Sequence, residues 1–430
     1  MNFWDKLRMP DKYYAVITWL AVAGIVAMAY HRFPLSSPYF GDEDYYVNEA
    51  AYLAKAGVIQ ALSQGTSLVL SLLILAVSRL FCASLLVGAR ILSVIAFAGA
   101  CPLFLKCTRR FSGLSMAQRY FALLCFAMLC SGWLWRGLAD VVSVAFLLAV
   151  YYWLTASYVR LRYALAGIFL LFAFAVKPVV MMMVPGMVLL AFLNGHKEGV
   201  SWQNRSVRTI LFTAVFGLCF ILYHVPGYLA FHKVMLESKD HHYEASGVRI
   251  ENHNSWGEKN VYFEVYNPQH KPNKWAVTWG EVDSFKQQHP DVQLNLGYSE
   301  FVKVHPAVWL RNISNKLFLY LPYSIQSVFF FSKWTVVNHW VKNILVIQLV
   351  ALLLIAFVYW RERDFVREYG WLLLPSLLYF VLLSCYTIPQ LEDNWLIFSI
   401  AFLALPVMKS LFRQVNTLLL FALQIVFVCL

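Results

Sequence analysis

Three carboxylates stand in a row at Asp42-Glu43-Asp44, followed by Tyr45-Tyr46, just past the first apolar run long enough to cross a membrane. Adjacent like charges repel, and a carboxylate that drifts into hydrocarbon is costly, so the triplet needs solvent, a cation or a substrate. A solvated acidic loop at a helix end is the plain reading. The other reading is chemical, because such a cluster can orient or deprotonate a hydroxyl, or bind a hard cation through oxygen.

Further charges fall where charge is expensive. Arg136 and Asp140 flank the junction of two apolar runs, four residues apart; on one helix they would share a face and pair. Lys177, followed by Pro178, interrupts the apolar stretch from Tyr163 to Asn194. An ammonium at that depth either snorkels to the interface or meets a carboxylate, a phosphate or water. Glu392-Asp393-Asn394 opens a late apolar run. The pair His241-His242 reads as exposed loop histidines before it reads as metal ligands.

These positions need a scaffold, and composition says which kind. The 430 residues are 60% hydrophobic and 13% charged, beyond the roughly 45–50% apolar content of soluble globules. An all-α polytopic membrane protein is expected. The net charge of +12 lies largely in short loops between apolar runs, where it orients helices, and carries no nucleic-acid signal. The eight cysteines sit in or beside apolar segments, so no disulfide framework is expected.

Lys6, Arg8 and Lys12 before the run 13–31 place the N-terminus in the cytoplasm and the acidic triplet outside. Residues 43–56 carry Tyr46, Ala50, Leu53 and Ala54 at helical spacing against Asn48, Glu49 and Lys55, which predicts a helix lying on the outer surface and stopping at Gly57. The apolar run from Ser67 to Ala76 is short, and it stays outside if Lys106, Arg109, Arg110 and Arg119 are to be cytoplasmic. Ten more crossings follow at 85–105, 120–135, 141–157, 163–176, 178–193, 209–230, 343–360, 369–386, 395–408 and 415–430, about 11 transmembrane helices in all. The chain thus divides into an N-terminal module at 1–230 whose first outer loop is 32–84, an extracytoplasmic loop at 231–342, and C-terminal helices at 343–430. Within that loop Val302, Val304, Val308, Trp309, Ile313 and Leu317 form a weakly amphipathic pattern suited to the membrane surface.

The residues carry a family resemblance. Asp42-Glu43 with Tyr46 and Ala50 resembles the first-loop segment of the GT-C glycosyltransferases, the class of the protein O-mannosyltransferases and the lipid A aminoarabinose transferase. Asp140 after Trp133-Leu134-Trp135-Arg136 resembles their second acidic position. Phe172 to Pro178 is similar to their span ending in Lys-Pro, and His305-Pro306 to their surface helix. Two departures stand out: Gln64-Gly65-Thr66-Ser67 replaces a Lys-Pro-Pro, and Glu392-Asp393-Asn394-Trp395 lacks an expected Arg.

The resemblance implies a GT-C fold and an inverting transfer of sugar from a polyprenyl-phosphate donor to a glycan, lipid or protein acceptor at the extracytoplasmic face of a bacterial inner membrane or its equivalent. Asp42 is then the candidate base, with Glu43 and Asp140 beside it in catalysis. Lys177 and Arg136 are the candidates for the donor phosphate, and Asp44, Tyr46, Glu392 and Asp393 for substrate contacts. A divalent metal ion is left open, with no ligands assigned. The competing class is a transporter or flippase of lipid-linked sugars, which would favour charges near the midplane and inverted repeats. No repeat is visible.

Overall fold

The computed structural model describes residues 11–38, 43–63, 67–156, 161–232, 241–243, 249–251, 287–288, 290–293, 296, 298–310, 313, 344–386 and 397–414. Among them the chain is helical apart from one small ribbon. The first part contains α1 (Asp11–Arg32), α2 (Glu43–Ala56), α3 (Val58–Ser63), α4 (Leu68–Leu80), α5 (Leu85–Thr108), α6 (Met116–Ser131), α7 (Ala139–Thr155) and α8 (Arg162–Val176). A 3-10 turn at Pro178–Met183 leads to α9 (Val184–Lys197) and α10 (Trp202–Phe231). Beyond it lie α11 (Tyr298–Val304), α12 (Ile344–Arg361), α13 (Arg363–Tyr386), α14 (Ile397–Leu403) and α15 (Leu405–Gln414).

Local chemistry sets several of these boundaries. Glu43 and Asp44 sit in the first turn of α2, where carboxylates meet the positive helix end, and Gly57 at φ +83° stops the helix as its sequence predicts. Ser84 caps α5 by accepting from Val87 N, and Ser115 with Gln118 closes a capping box on α6. At Lys177 the backbone turns extended, because Pro178 disfavours helix in the residue before it.

Among the described residues, four helices are long and apolar enough to cross a membrane, those within α1, α5, α10 and α13. This is the architecture of a helical, membrane-embedded protein. Shorter apolar helices include α4, α6, α7 and α8; the 17 residues of α7 rise about 26 Å, under the ~30 Å of hydrocarbon. Of the stretch expected to cross at 395–408, the described residues form one apolar helical run with a turn at Ala404, across which Ala404 N donates to Ile400 O and Met408 N to Ala404 O, and that expected at 415–430 lies outside the described residues.

Packing joins the two ends of the chain. The helix α7 lies between α5 and α8, α10 covers α8 and α9, and α13 packs on α9 and the 3-10 turn. One apolar cluster runs from Tyr14 and Ile25 on α1 to Phe398, Phe402 and Met408 near the C-terminus, with Phe104 stacked on Phe126 at 4.7 Å and touching Phe402 at 5.6 Å. The described helices α13, α14 and α15 therefore share a core with the helices of the N-terminal part. A second cluster lies beneath α2, where Tyr46, Val47 and Ala50 meet Leu70 and Ile74 of α4, Ala89 and Leu92 of α5, and Leu138 and Val142.

Of the long polar stretch, the described parts are an antiparallel ribbon pairing β1 (His241–Tyr243) with β2 (Arg249–Glu251), and α11. The strand β1 packs against α2. Within the weakly amphipathic pattern of 302–317, α11 ends before His305 and helix resumes with Pro306 at its start, a position that needs no amide N–H, while 311–312 and 314–317 lie outside the described residues.

Candidate functional site

Of the charged residues singled out by type and spacing, Glu43, Arg136, Asp140 and Lys177 converge on one end of the helix set. There α1 ends, α2, α5 and α7 begin and α8 ends, so the turns 33–38 and 132–138 meet between them. The organising contact is one that sequence reading missed. Arg90, on α5 and 1% exposed, grips Glu43 with a fork: its Nε donates to Oε1 at 3.1 Å and its Nη2 to Oε2 at 2.6 Å. Its remaining donors reach the carbonyls of Pro34, Leu35 and Ser37 through Nη1, at 3.3, 3.0 and 2.9 Å, and that of Pro38 through Nη2 at 2.9 Å. Nη1 also donates to the Ser37 hydroxyl at 3.0 Å.

Glu43 is buried, and the Gly137 amide also donates to its Oε1 at 2.7 Å. That contact needs glycine, since a Cβ at 137 would sit 2.8 Å from the Ala89 Cβ. One carboxylate thus ties α2 to α5 and to the turn leading into α7. A charge this dry persists only because each oxygen has its donor.

Three residues beyond Gly137, Asp140 accepts from the ammonium of Lys177, and both side chains are buried. Lys177 does not snorkel. Its extended backbone at the end of α8 turns the side chain into the bundle, where the carboxylate of α7 meets it. The pairing of Arg136 with Asp140 by helical spacing does not apply, because α7 begins at Ala139 and Arg136 lies in the turn before it. The Arg136 guanidinium instead lies over the Phe33 ring at 4.1 Å and near Trp133 at 5.4 Å. Burial, helped by Arg32, pushes its pKa down to about 10 against the pull of Glu43 and Asp140, so it remains a cation at neutral pH.

The other expected residues separate. Asp44 is exposed and accepts from the Tyr45 amide at 2.8 Å, while the Tyr46 ring is buried in the apolar cluster beneath α2. Asp42, Glu392 and Asp393 lie outside the described residues, although Asp42 immediately precedes the clamped Glu43.

Glu49, placed by its sequence on the polar face of α2, is buried. Its carboxylate accepts from the Tyr45 hydroxyl at 2.8 Å and from the Ser67 amide at the start of α4 at 3.1 Å. Burial pushes its pKa up to about 7, with the Tyr45 and Ser67 hydrogen bonds opposing the rise. The signal was present, since Glu49 follows Tyr46 by three and precedes Leu53 by four, which puts it on the buried stripe.

A divalent metal ion does not fit the acids the structure describes at this end. Glu43 is committed to Arg90 and Asp140 to Lys177, and among the described residues no three His, Cys, Asp or Glu side chains gather as a ligand set. What the arrangement can do is hold fixed charges of both signs at the mouth of an apolar bundle. No protein-family model, curated protein or solved structure matches the chain.

Proposed function

We propose that this protein is an integral membrane glycosyltransferase of the GT-C kind, moving a sugar with inversion from a polyprenyl-phosphate donor to an acceptor hydroxyl at the extracytoplasmic face. The observation that carries the reading is the convergence of Glu43, Arg136, Asp140 and Lys177 at one helix end, around the turn that leads to Asp42. A transferase of this kind needs a base for the hydroxyl and cations for the departing phosphate, beside hydrocarbon that can hold the lipid. In this reading the chain crosses about 11 times, its N-terminus is cytoplasmic, and 231–342 lies outside.

The roles follow from what each group already holds. Asp42 takes the proton of the acceptor hydroxyl, whose oxygen attacks the anomeric carbon from the face opposite the phosphate. The bond from that carbon to the phosphate oxygen breaks, and polyprenyl phosphate leaves with the electron pair. Arg136 meets the charge that develops on it, being a cation in a turn beside aromatic rings. Lys177 is committed to Asp140, so the pair fixes the field and shape of the site, with direct phosphate binding left to Arg136. The exposed Asp44 remains available to the acceptor, together with Glu392 and Asp393.

The test is reconstitution of the purified protein in liposomes with a sugar-labelled polyprenyl phosphate and a panel of hydroxyl acceptors. Labelled acceptor accompanied by an equal amount of polyprenyl phosphate supports the proposal. Movement of intact labelled donor across the bilayer, with no product from any acceptor, makes the protein a transporter.

A further inference from the structure

We infer that Arg90 is a positioning residue for Arg136: its guanidinium holds the turns 33–38 and 132–138 in register, and the stack of Arg136 on Phe33 forms at their seam. The inference rests on the reading of Arg136 as the cation that meets the donor phosphate. Arg90 reaches both turns from α5. Toward the first, Nη1 gathers the carbonyls of Pro34, Leu35 and Ser37 with the Ser37 hydroxyl, and Nη2 that of Pro38. Toward the second it works through Glu43, whose Oε1 accepts both from the Arg90 Nε at 3.1 Å and from the Gly137 amide at 2.7 Å. Pro34 follows Phe33 and Gly137 follows Arg136, so the anchored residues are the immediate neighbours of the two that stack, 4.1 Å from guanidinium to ring.

The stack does not hold itself. A cation over one ring is a weak contact, and the Arg32 guanidinium lies 5.5 Å from the same ring, so a like charge opposes it. What fixes the register is the set of bonds made by Arg90, which is 1% exposed. Five donors in a planar fork can serve a carboxylate and several carbonyls at once, whereas a lysine ammonium has three donors around one point. Close packing adds to the hold. A Cβ at Gly137 would sit 2.8 Å from the Ala89 Cβ, so the second turn lies directly on α5 beside Arg90. Glu43, its oxygens taken by Arg90 and Gly137, serves as the strap between α5 and that turn and not as a second base.

The experiment measures equilibrium binding of polyprenyl phosphate to the full-length protein in nanodiscs, with amide hydrogen exchange on the same samples. The variants are Arg136→Gln, Arg90→Lys, Gly137→Ala, and each of the last two combined with Arg136→Gln. Arg90→Lys keeps the charge and loses the fork. Gly137→Ala keeps every charge and displaces the second turn from α5, so it carries the test if Arg90→Lys does not fold. Each is expected to weaken binding about three- to tenfold alone and less than about twofold on top of Arg136→Gln, because a residue that acts through another has nothing to position once that one is gone. With Arg90→Lys, exchange should quicken in peptides covering 29–38 and 130–138 together and stay unchanged in α9 and α13. Wild-type affinity in Arg90→Lys, or in Gly137→Ala where Arg90→Lys does not fold, overturns the inference, as do losses that multiply with that of Arg136→Gln. So does a loss of protection spread equally over all helices, which would mark Arg90 as a general fold residue. If the wild type binds polyprenyl phosphate no more tightly than Arg136→Gln does, the reading of Arg136 fails, and exchange decides for Arg90: quickening of both turns sustains the clamp, and quickening of one or neither ends it.

Discussion

Carboxylates meet cations at both ends of the α5–α10 set, and the two ends handle them differently. At the end where α8 begins, Arg162 forks onto Glu198 at 2.8 and 2.6 Å, Arg208 adds a contact at 3.0 Å, and Asn194 bridges Glu198 to the Leu154 carbonyl. That network opens to solvent on the side of Glu198 and Arg208, 24% and 36% exposed, although Arg162 itself is buried. At the opposite end Glu43, Arg90, Asp140 and Lys177 are all buried. Exposed pairs contribute about 0–1 kcal/mol and tolerate loss, while a buried pair stripped of one partner costs about 3–5 kcal/mol. A dry ion pair is a weak way to gain stability and a strong way to fix geometry. The dry end is therefore where a chemical function has reason to be.

The largest effect expected is from Glu43→Ala. It leaves the Arg90 guanidinium buried without its carboxylate and should lower stability by about 3–5 kcal/mol, read as a fall in the thermal midpoint of the purified protein. Arg208→Ala, at the wet end, should cost about 1 kcal/mol or less in the same assay. Equal losses at the two ends would erase the contrast.

Next in size is Lys177→Met, which strands the Asp140 carboxylate. Stability should fall by a few kcal/mol and return in large part with Asp140→Asn added, since the neutral pair removes the uncompensated charge. Donor KM separates the two cations. Arg136→Gln should raise it about tenfold, and Lys177→Met with Asp140→Asn should leave it nearly unchanged while lowering kcat.

A smaller, pH-dependent effect distinguishes Glu49 from Glu198. The folded pKa of Glu49 is raised to about 7, so its ionisation opposes folding: wild-type stability should decline as pH rises from about 4.5 to 7 and level off above that. Glu49→Gln should flatten this decline and be the more stable protein at pH 8. For Glu198, burial raises the pKa but Arg162 and Arg208 outweigh it, and the net shift is downward. Its contribution is present above its ordinary value of 4.5 and lost as pH falls below that. Thermal midpoints between pH 4 and 8 for wild type, Glu49→Gln and Glu198→Gln read both signs.

Much of the scaffold was legible before any coordinates, because apolar length and helix punctuation are local signals. The bounds of α2 and its stop at Gly57 could be read directly, as could the break before Pro178. The charge partners could not. Arg90 follows Glu43 by 47 positions and Lys177 follows Asp140 by 37, and no local pattern encodes which distant cation a carboxylate will meet. Spacing pointed to Arg136 for Asp140, and it failed because the segment between them is a turn whose Trp135 takes φ 58°. Glu49 differs for another reason: its charge places it by type on the solvent face of an amphipathic helix, although its register puts it on the buried stripe.

The most direct measurement is the rate of sugar transfer by purified Asp42→Asn, reconstituted beside the wild type with the same labelled polyprenyl donor. Asparagine keeps the volume and one acceptor oxygen but takes no proton. The account predicts a drop of roughly 10²- to 10⁴-fold in kcat, with donor KM and the thermal midpoint close to wild type. Transfer at the wild-type rate would mean that the first-loop acid is not the base, and the buried charges around it would then serve the fold alone.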